Sequence, residues 1–414
     1  MKDIARWTVC AALAVFALLQ IAGGFCANPK YLFNDESFGH DLRLRRNEIR
    51  CAHQGVNSFR IWNREVELSG FVPLNRPDEE DVRRGPGDVV VHAYPPWHTT
   101  MFWFYGWLPE TFCVSLMSVL FGVCLWLVAS ECARISKARF EKDGGLVAVL
   151  ALTLVLCYAC RCYLLMNYGV LILAALLVMN RALEKGHEVA AGLCWAVMML
   201  KPQVGVLFFW PLFWHRRYVA IVVATVVCLG ATFATSLILH ESVVDLLLQL
   251  PLIGKPYAGF TPARFLQPIL GESAMLLAMP VFFALVGFLT WLVRGRHDFA
   301  WSCVPVVVMV PVWTYCLPYD YVILLPLFVF WAGMAMSEKG LWRLGLVALG
   351  GIYVALLVFS DVLAIGSFVG AFRLNDPGKI WRLALRVSQL VLVASLAILM
   401  WRNREEQMRG GLKE

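Results

Sequence analysis

Windows of about twenty consecutive apolar residues, the length a helix needs to cross roughly 30 Å of hydrocarbon, recur from near the N-terminus almost to the C-terminus. Lipid offers no partner for a backbone N–H or C=O, so segments of this kind must close their hydrogen bonds internally, as helices. With 60% hydrophobic side chains and only 16% charged ones in 414 residues, the apolar surface exceeds what a soluble core of this length could bury. The sequence therefore predicts an all-α polytopic membrane protein.

Spans are expected near 7–26, 108–130, 145–160, 163–180, 189–200, 203–214, 217–238, 272–293, 299–316, 320–336, 341–361 and 381–401, about 12 transmembrane helices in a range of 10–13. The stretch from Trp7 to Cys26 also reads as a cleaved signal peptide, with Lys2 and Arg6 ahead of it and small residues at its end. Its length and the many spans that follow favour an uncleaved first helix. Placing both termini in the cytoplasm puts eighteen Lys and Arg on inner segments against eight on the short outer ones, the positive-inside distribution.

On that orientation residues 1–414 form one integral-membrane domain. Residues 27–107 are its large first extracytoplasmic loop with a re-entrant segment, and 402–414 are a cytoplasmic tail. Residues 189–214 are short for two passes. Two short helices meeting at Lys201-Pro202 preserve the charge bias, whereas one long tilted helix would invert everything downstream.

The net charge of +7 does not point to nucleic acid. Lys and Arg fall between spans and on the large loop, which suits topology and lipid headgroups. Most of the thirteen cysteines lie inside apolar stretches, where a thiol packs as a small hydrophobe. Cys26 and Cys51 flank the start of the outer loop, where a disulfide could join them. No Cys/His spacing of zinc type is present, so no metal is expected.

Chemistry is expected in the first loop. From Asp41 onward, Leu42, Leu44 or Arg45, Ile49 and Ala52 recur at near-helical spacing, predicting a short interfacial helix that stops at Gly55. Asp41, Arg45 and Glu48 share one face of it, which reads either as a surface ion-pair ladder or as an acid beside a phosphate-binding cation.

The segment Tyr94-Pro95-Pro96-Trp97, read as extended and stiff, returns Tyr94, Trp97 and His98 to the interface. These rings suit sugar stacking or an aromatic belt. Lys201 lies between apolar flanks at membrane depth, so it either snorkels or pairs with an anion such as phosphate. Arg161 and Arg264, on short outer turns, suit a lipid phosphate or a headgroup anchor. In Pro318-Tyr319-Asp320, Asp320 suits a hydroxyl ligand, a cation partner or a helix N-cap.

Taken together, Asp41, Gly55-Val56-Asn57-Ser58-Phe59, Tyr94-Pro95-Pro96, Lys201-Pro202-Gln203 and Pro318-Tyr319-Asp320 occur in an order and spacing that resembles the GT-C class of membrane glycosyltransferases. The closest resemblance is to the glycosyltransferase 87 family, over nearly the whole chain. Two departures stand out: Asn57-Ser58-Phe59 replaces a frequent Asn-Pro-Tyr, and Asn167-Tyr168-Gly169-Val170 replaces Gly-Gln followed by Asn.

The resemblance implies an inverting transferase that moves a hexose or pentose, mannose-like by preference, from a polyprenyl-phosphate sugar to an extracytoplasmic glycan or glycolipid. Asp41 would be the catalytic base. Lys201, Arg45, Arg161 and Arg264 would bind the donor phosphate. Glu48, Asn57, Tyr94, Trp97, His98, Tyr319 and Asp320 would contact substrates. It also implies a bacterial-type inner membrane location and no cofactor beyond the lipid-linked donor. A transporter or flippase for a lipid-linked precursor is the alternative from a different class, and a non-catalytic membrane scaffold is another.

Overall fold

The structure, a computed structural model, describes residues 40–62, 65, 71–73, 88–90, 94–139, 159, 162–163, 165–250, 273–294, 302–303, 305–307, 309–310 and 322–323. The expected first span at 7–26 lies outside them, as do 341–361, 381–401, the tail and most of 145–160 and 320–336. Cys26, Arg161, Arg264, Tyr319 and Asp320 also lie outside the described residues.

The described chain is helical apart from one small ladder. The predicted outer helix forms as α1 (His40–His53). It ends where Gly55 takes φ +71°, a left-handed conformation that costs glycine little. The amides of Gly55 and Val56 then close on the Ala52 and Cys51 carbonyls. After α2 (Ser58–Trp62), β1 (Phe71–Pro73) and β2 (Asp88–Val90) pair in parallel, Phe71 opposite Asp88. An all-helical reading missed this ladder because it is only three residues per strand, too short for an alternating pattern to show.

The return segment differs from the stiff extended run expected of it. Pro95 is extended at φ −69° and ψ 157°, but Pro96 opens α3 (Pro96–Met101). A proline at the first helical position gives up only an N–H that has no helical partner there. A 3-10 turn (Trp103–Gly106) leads into α4 (Glu110–Arg139).

Then follow α5 (Gly169–Glu184), α6 (Glu188–Met198), the single-turn α7 (Pro202–Gly205), a 3-10 turn at Val206–Phe208, α8 (Phe209–Trp214), α9 (Tyr218–Leu239), α10 (Val243–Leu248) and α11 (Ser273–Val293).

Glu110–Ile135 and Tyr218–Leu239 are long and apolar enough to cross a bilayer. Their outward faces stay hydrophobic: Val119, Val123 and Trp126 on α4, and Val222, Val226, Phe233 and Leu237 on α9, are all exposed. A helix facing water would carry polar groups along that stripe.

Ion pairs fix the direction of each helix. Arg43 of α1 meets Glu110 at the start of α4 at 2.5 Å, and Arg46 donates to the Leu108 carbonyl at 3.1 and 3.2 Å. At the other end of α4, buried Glu131 accepts from Arg134 and from Arg181 of α5, both at 2.7 Å. So α4 and α5 run the same way, from α1 to the far end.

Glu188 at the start of α6 pairs with Arg217 at the start of α9 at 3.2 Å, so these two helices also begin together at one end. The chain between them must therefore go out and come back. Trp195 of α6 donates to the Gly205 carbonyl at 2.7 Å across that hairpin. Of the two readings of 189–214, the pair of short helices with a break at Lys201-Pro202 is the one found.

Candidate functional site

Four chain segments converge where α1 meets the return segment. Arg45 is completely buried, 0% exposed, one helical turn after Asp41. Its guanidinium carbon lies 3.6 Å from the Tyr168 ring centre and 4.9 Å from that of Tyr94. One of its terminal nitrogens sits 3.8 Å from Asp41 Oδ2. None of its three guanidinium nitrogens makes a hydrogen bond of good geometry among the described residues; the Tyr94 and Tyr168 phenols approach it as partners but present mainly their ring faces.

The Asp41 carboxylate is 14% exposed. Asn167 Nδ2 donates to Oδ2 at 2.5 Å, the same oxygen that faces Arg45. Asn167 stands just before α5, preceded by Met166 at φ 53°, and its Oδ1 accepts the Gly169 N–H at 3.0 Å.

Around Arg45 the aromatic return segment forms a stack of rings. Tyr94 stacks on His98 with centroids 4.8 Å apart, and His98 stacks on Phe102 at 5.1 Å. His98 Nε2 and the Tyr168 hydroxyl share a hydrogen bond of 2.9 Å, while His98 Nδ1 is buried without a partner among the described residues. Burial, then the nearby Arg45 charge, hold His98 well below the usual imidazole range, so the ring is neutral at ordinary pH. Burial pushes the Tyr94 phenol well above its usual range, against the pull of Arg45. Neither group offers a negative charge to balance the guanidinium.

Trp97 is buried and donates to the Met199 carbonyl at 3.0 Å. This ties the return segment to the tip of the α6–α7 hairpin. Lys201 is at that tip, 5% exposed, just before Pro202. Thr100 and Thr235 share a 2.7 Å hydrogen bond, and Thr235 also donates to the Pro96 carbonyl at 2.8 Å, which seats α3 on the end of α9. Among the described residues no three His, Cys, Asp or Glu side chains gather in a metal-ligating group.

The structure thus brings together Asp41, Arg45, Tyr94 and His98, with Trp97 and Lys201 joined through the hairpin. Glu48 is buried on the same helix. Asn57 engages a different set: it donates to Glu241 at 2.7 Å and to Gln249 at 3.1 Å, and its Oδ1 accepts the Phe59 N–H. That arrangement fastens the outer loop to the end of α9 and to α10.

Tyr168 was absent from the sequence-derived residues, although it is the ring nearest Arg45. Beside an apolar run a tyrosine reads as an interface anchor, and nothing local marks it as the partner of a residue over a hundred positions earlier.

A family model described as glycosyltransferase family 87 matches residues 92–315, more than half of the chain. The chain belongs to glycosyltransferase family 87. It is accordingly a membrane glycosyltransferase, in keeping with the apolar helices α4 and α9. No curated protein and no solved structure matches it.

The family match begins at His92, so α1 with Asp41 and Arg45 precedes it, while Tyr94, Trp97, His98, Asn167, Tyr168 and Lys201 fall inside. Packing, rather than the family match, connects the acid to the family-87 core.

Proposed function

We propose that this family-87 enzyme transfers a sugar, mannose-like by preference, from a polyprenyl monophosphate to the hydroxyl of a glycan or glycolipid on the outer side of the cytoplasmic membrane. Asp41 accepts the proton of the acceptor hydroxyl. The acceptor oxygen forms its bond to the anomeric carbon as the bond from that carbon to the phosphate oxygen breaks. The lipid phosphate departs with the electron pair, and a single displacement inverts the anomeric centre.

Arg45 and Lys201 take up the phosphate charge. Arg161 and Arg264 join them on the donor side, and Tyr319 and Asp320 on the substrate side, by the family resemblance. The chain crosses the membrane about twelve times with both termini in the cytoplasm, which sets α1 and the return segment on the outer face.

The observation that carries this reading is Arg45: a fully buried guanidinium whose nitrogens, among the described residues, face tyrosine rings and make no well-formed hydrogen bond, beside a carboxylate that is partly exposed. A buried cation left this way is costly unless an anion arrives to complete it. A phosphoryl group meets the planar donors of arginine particularly well, and a polyprenyl-phosphate sugar delivers both the anion and the group to be transferred.

The test is to incubate the purified protein in lipid with a panel of polyprenyl-phosphate sugars and native membrane glycolipids, and to follow transfer by mass spectrometry. Transfer by the wild type, with Asp41→Asn folded and at least about 100-fold slower, is expected of a general base. Equal turnover in the variant would remove Asp41 from that role. Movement of labelled lipid across liposomes, with no new glycosidic bond from any donor and acceptor pair, would replace the transferase reading by a transporter.

A further inference from the structure

We propose that Asn167 is the positioning residue that fixes the Asp41 carboxylate, leaving Oδ1 alone to face an acceptor hydroxyl; this rests on Asp41 being the base. Asn167 Nδ2 and the Arg45 guanidinium both address Oδ2, at 2.5 and 3.8 Å. Among the described residues nothing bonds to Oδ1. A carboxylate held by one oxygen cannot rotate freely, so its second oxygen points in one direction.

The orientation of the Asn167 amide is itself fixed by chemistry. The Gly169 backbone N–H can only donate, so the atom it meets at 3.0 Å must be the amide oxygen. The NH2 group therefore lies toward Asp41 and supplies the donor that an ionised carboxylate requires. The connection spans 126 positions of sequence, and it links the outer helix to the first residues of α5. Asn167 thus sets the base from within the segment that matches the family, whereas Asp41 lies before it.

A merely structural asparagine would close the turn before α5 by accepting the Gly169 N–H through Oδ1, and do nothing more. Asn167→Asp separates the two roles. An aspartate oxygen still accepts from Gly169 N–H, and a negative charge before a helix N-terminus is favourable, so the fold is kept. It cannot donate to Asp41, and two carboxylates in contact cannot both ionise readily.

The experiment compares purified wild type, Asn167→Asp and Asn167→Ala in nanodiscs, with no substrate added. A carbodiimide, which consumes the protonated carboxyl, is applied across a pH series. Labelling of Asp41 is mapped by mass spectrometry beside the thermal unfolding of each protein. In Asn167→Asp, labelling of Asp41 near neutral pH is expected to be faster by about tenfold or more, with unfolding unchanged. Identical pH profiles of Asp41 labelling in wild type and Asn167→Asp would overturn the proposal and leave Asn167 a turn residue.

In the transfer assay, kcat of Asn167→Asp should fall by about 100-fold with donor KM unchanged. Asp41→Asn run alongside keeps the two ideas apart. If it transfers as fast as wild type, the base reading falls; if it is inactive while Asn167→Asp matches wild type, only the positioning role falls.

Discussion

Arg45 holds a charge where charge is expensive. Removing a guanidinium from water costs several kcal/mol even after relaxation, and each cation–π contact returns about 0.5 to 2. The rings of Tyr168 and Tyr94 and one carboxylate at 3.8 Å leave its nitrogens without a well-formed hydrogen bond among the described residues. A residue kept for stability would not be left so. Arg45→Met is therefore expected to unfold within about 1 kcal/mol of wild type, or later, as read by thermal unfolding in lipid. Its KM for the polyprenyl-phosphate donor should rise about 10- to 100-fold, the range lost with charge-assisted hydrogen bonds. A loss of several kcal/mol with unchanged KM would make Arg45 structural. Asp41 and Arg45 were legible as a pair because helical spacing puts them on one face. Asn167 and Tyr168 were legible only as a polar outer turn where the chain departs from the family pattern; that they meet Asp41 and Arg45 was not, because those contacts are set by packing between distant helices.

The hairpin formed by α6, α7 and α8 is the element that presents Lys201. Pro202 stops α6 by removing an amide and starts α7 at a position where none is needed, so the break could be read from sequence. Its tightness could not. A Cβ on Gly205 would lie 2.7 Å from the Met198 carbonyl oxygen, and 2.8 and 2.9 Å from adjacent backbone atoms. These are backbone contacts with no flexible side chain to yield. Gly205→Ala should therefore lower stability by about 1–3 kcal/mol, the usual cost of overpacking, and reduce turnover by shifting the tip. Gly230→Ala inside α9, where a Cβ meets nothing within 4 Å, should leave turnover unchanged and raise stability by up to about 1 kcal/mol. Equal unfolding temperatures for the two variants would show that the hairpin tip yields to an added methyl group.

At the scale of the molecule, the helix directions divide the protein into two ends. One carries Asp41, Arg45, His98 and Lys201; the other carries the Glu131, Arg134, Arg181 and Glu184 cluster and the Glu188–Arg217 pair. On the orientation proposed from the positive-inside bias, the second end faces the cytoplasm. A single cysteine introduced at Asp78 should then react with an impermeant thiol reagent in intact cells, above the background of the unsubstituted chain, whereas one at Lys142 should react only after permeabilisation. The reverse pattern would invert the orientation and move the proposed site inside. By itself the sequence determined that the chain is a helical membrane protein and where α1 begins and stops, and it favoured a break at Lys201-Pro202 over one long tilted helix. Those features follow from local rules: the apolar length of a span, the periodicity of a helix, and the conformations open to glycine and proline. Only the tertiary structure decided that Asn167 holds Asp41, that Tyr168 covers Arg45 and that Trp97 meets the hairpin. Such contacts arise where separate helices pack, and the energy that selects them depends on every neighbour at once rather than on adjacent residues in the chain.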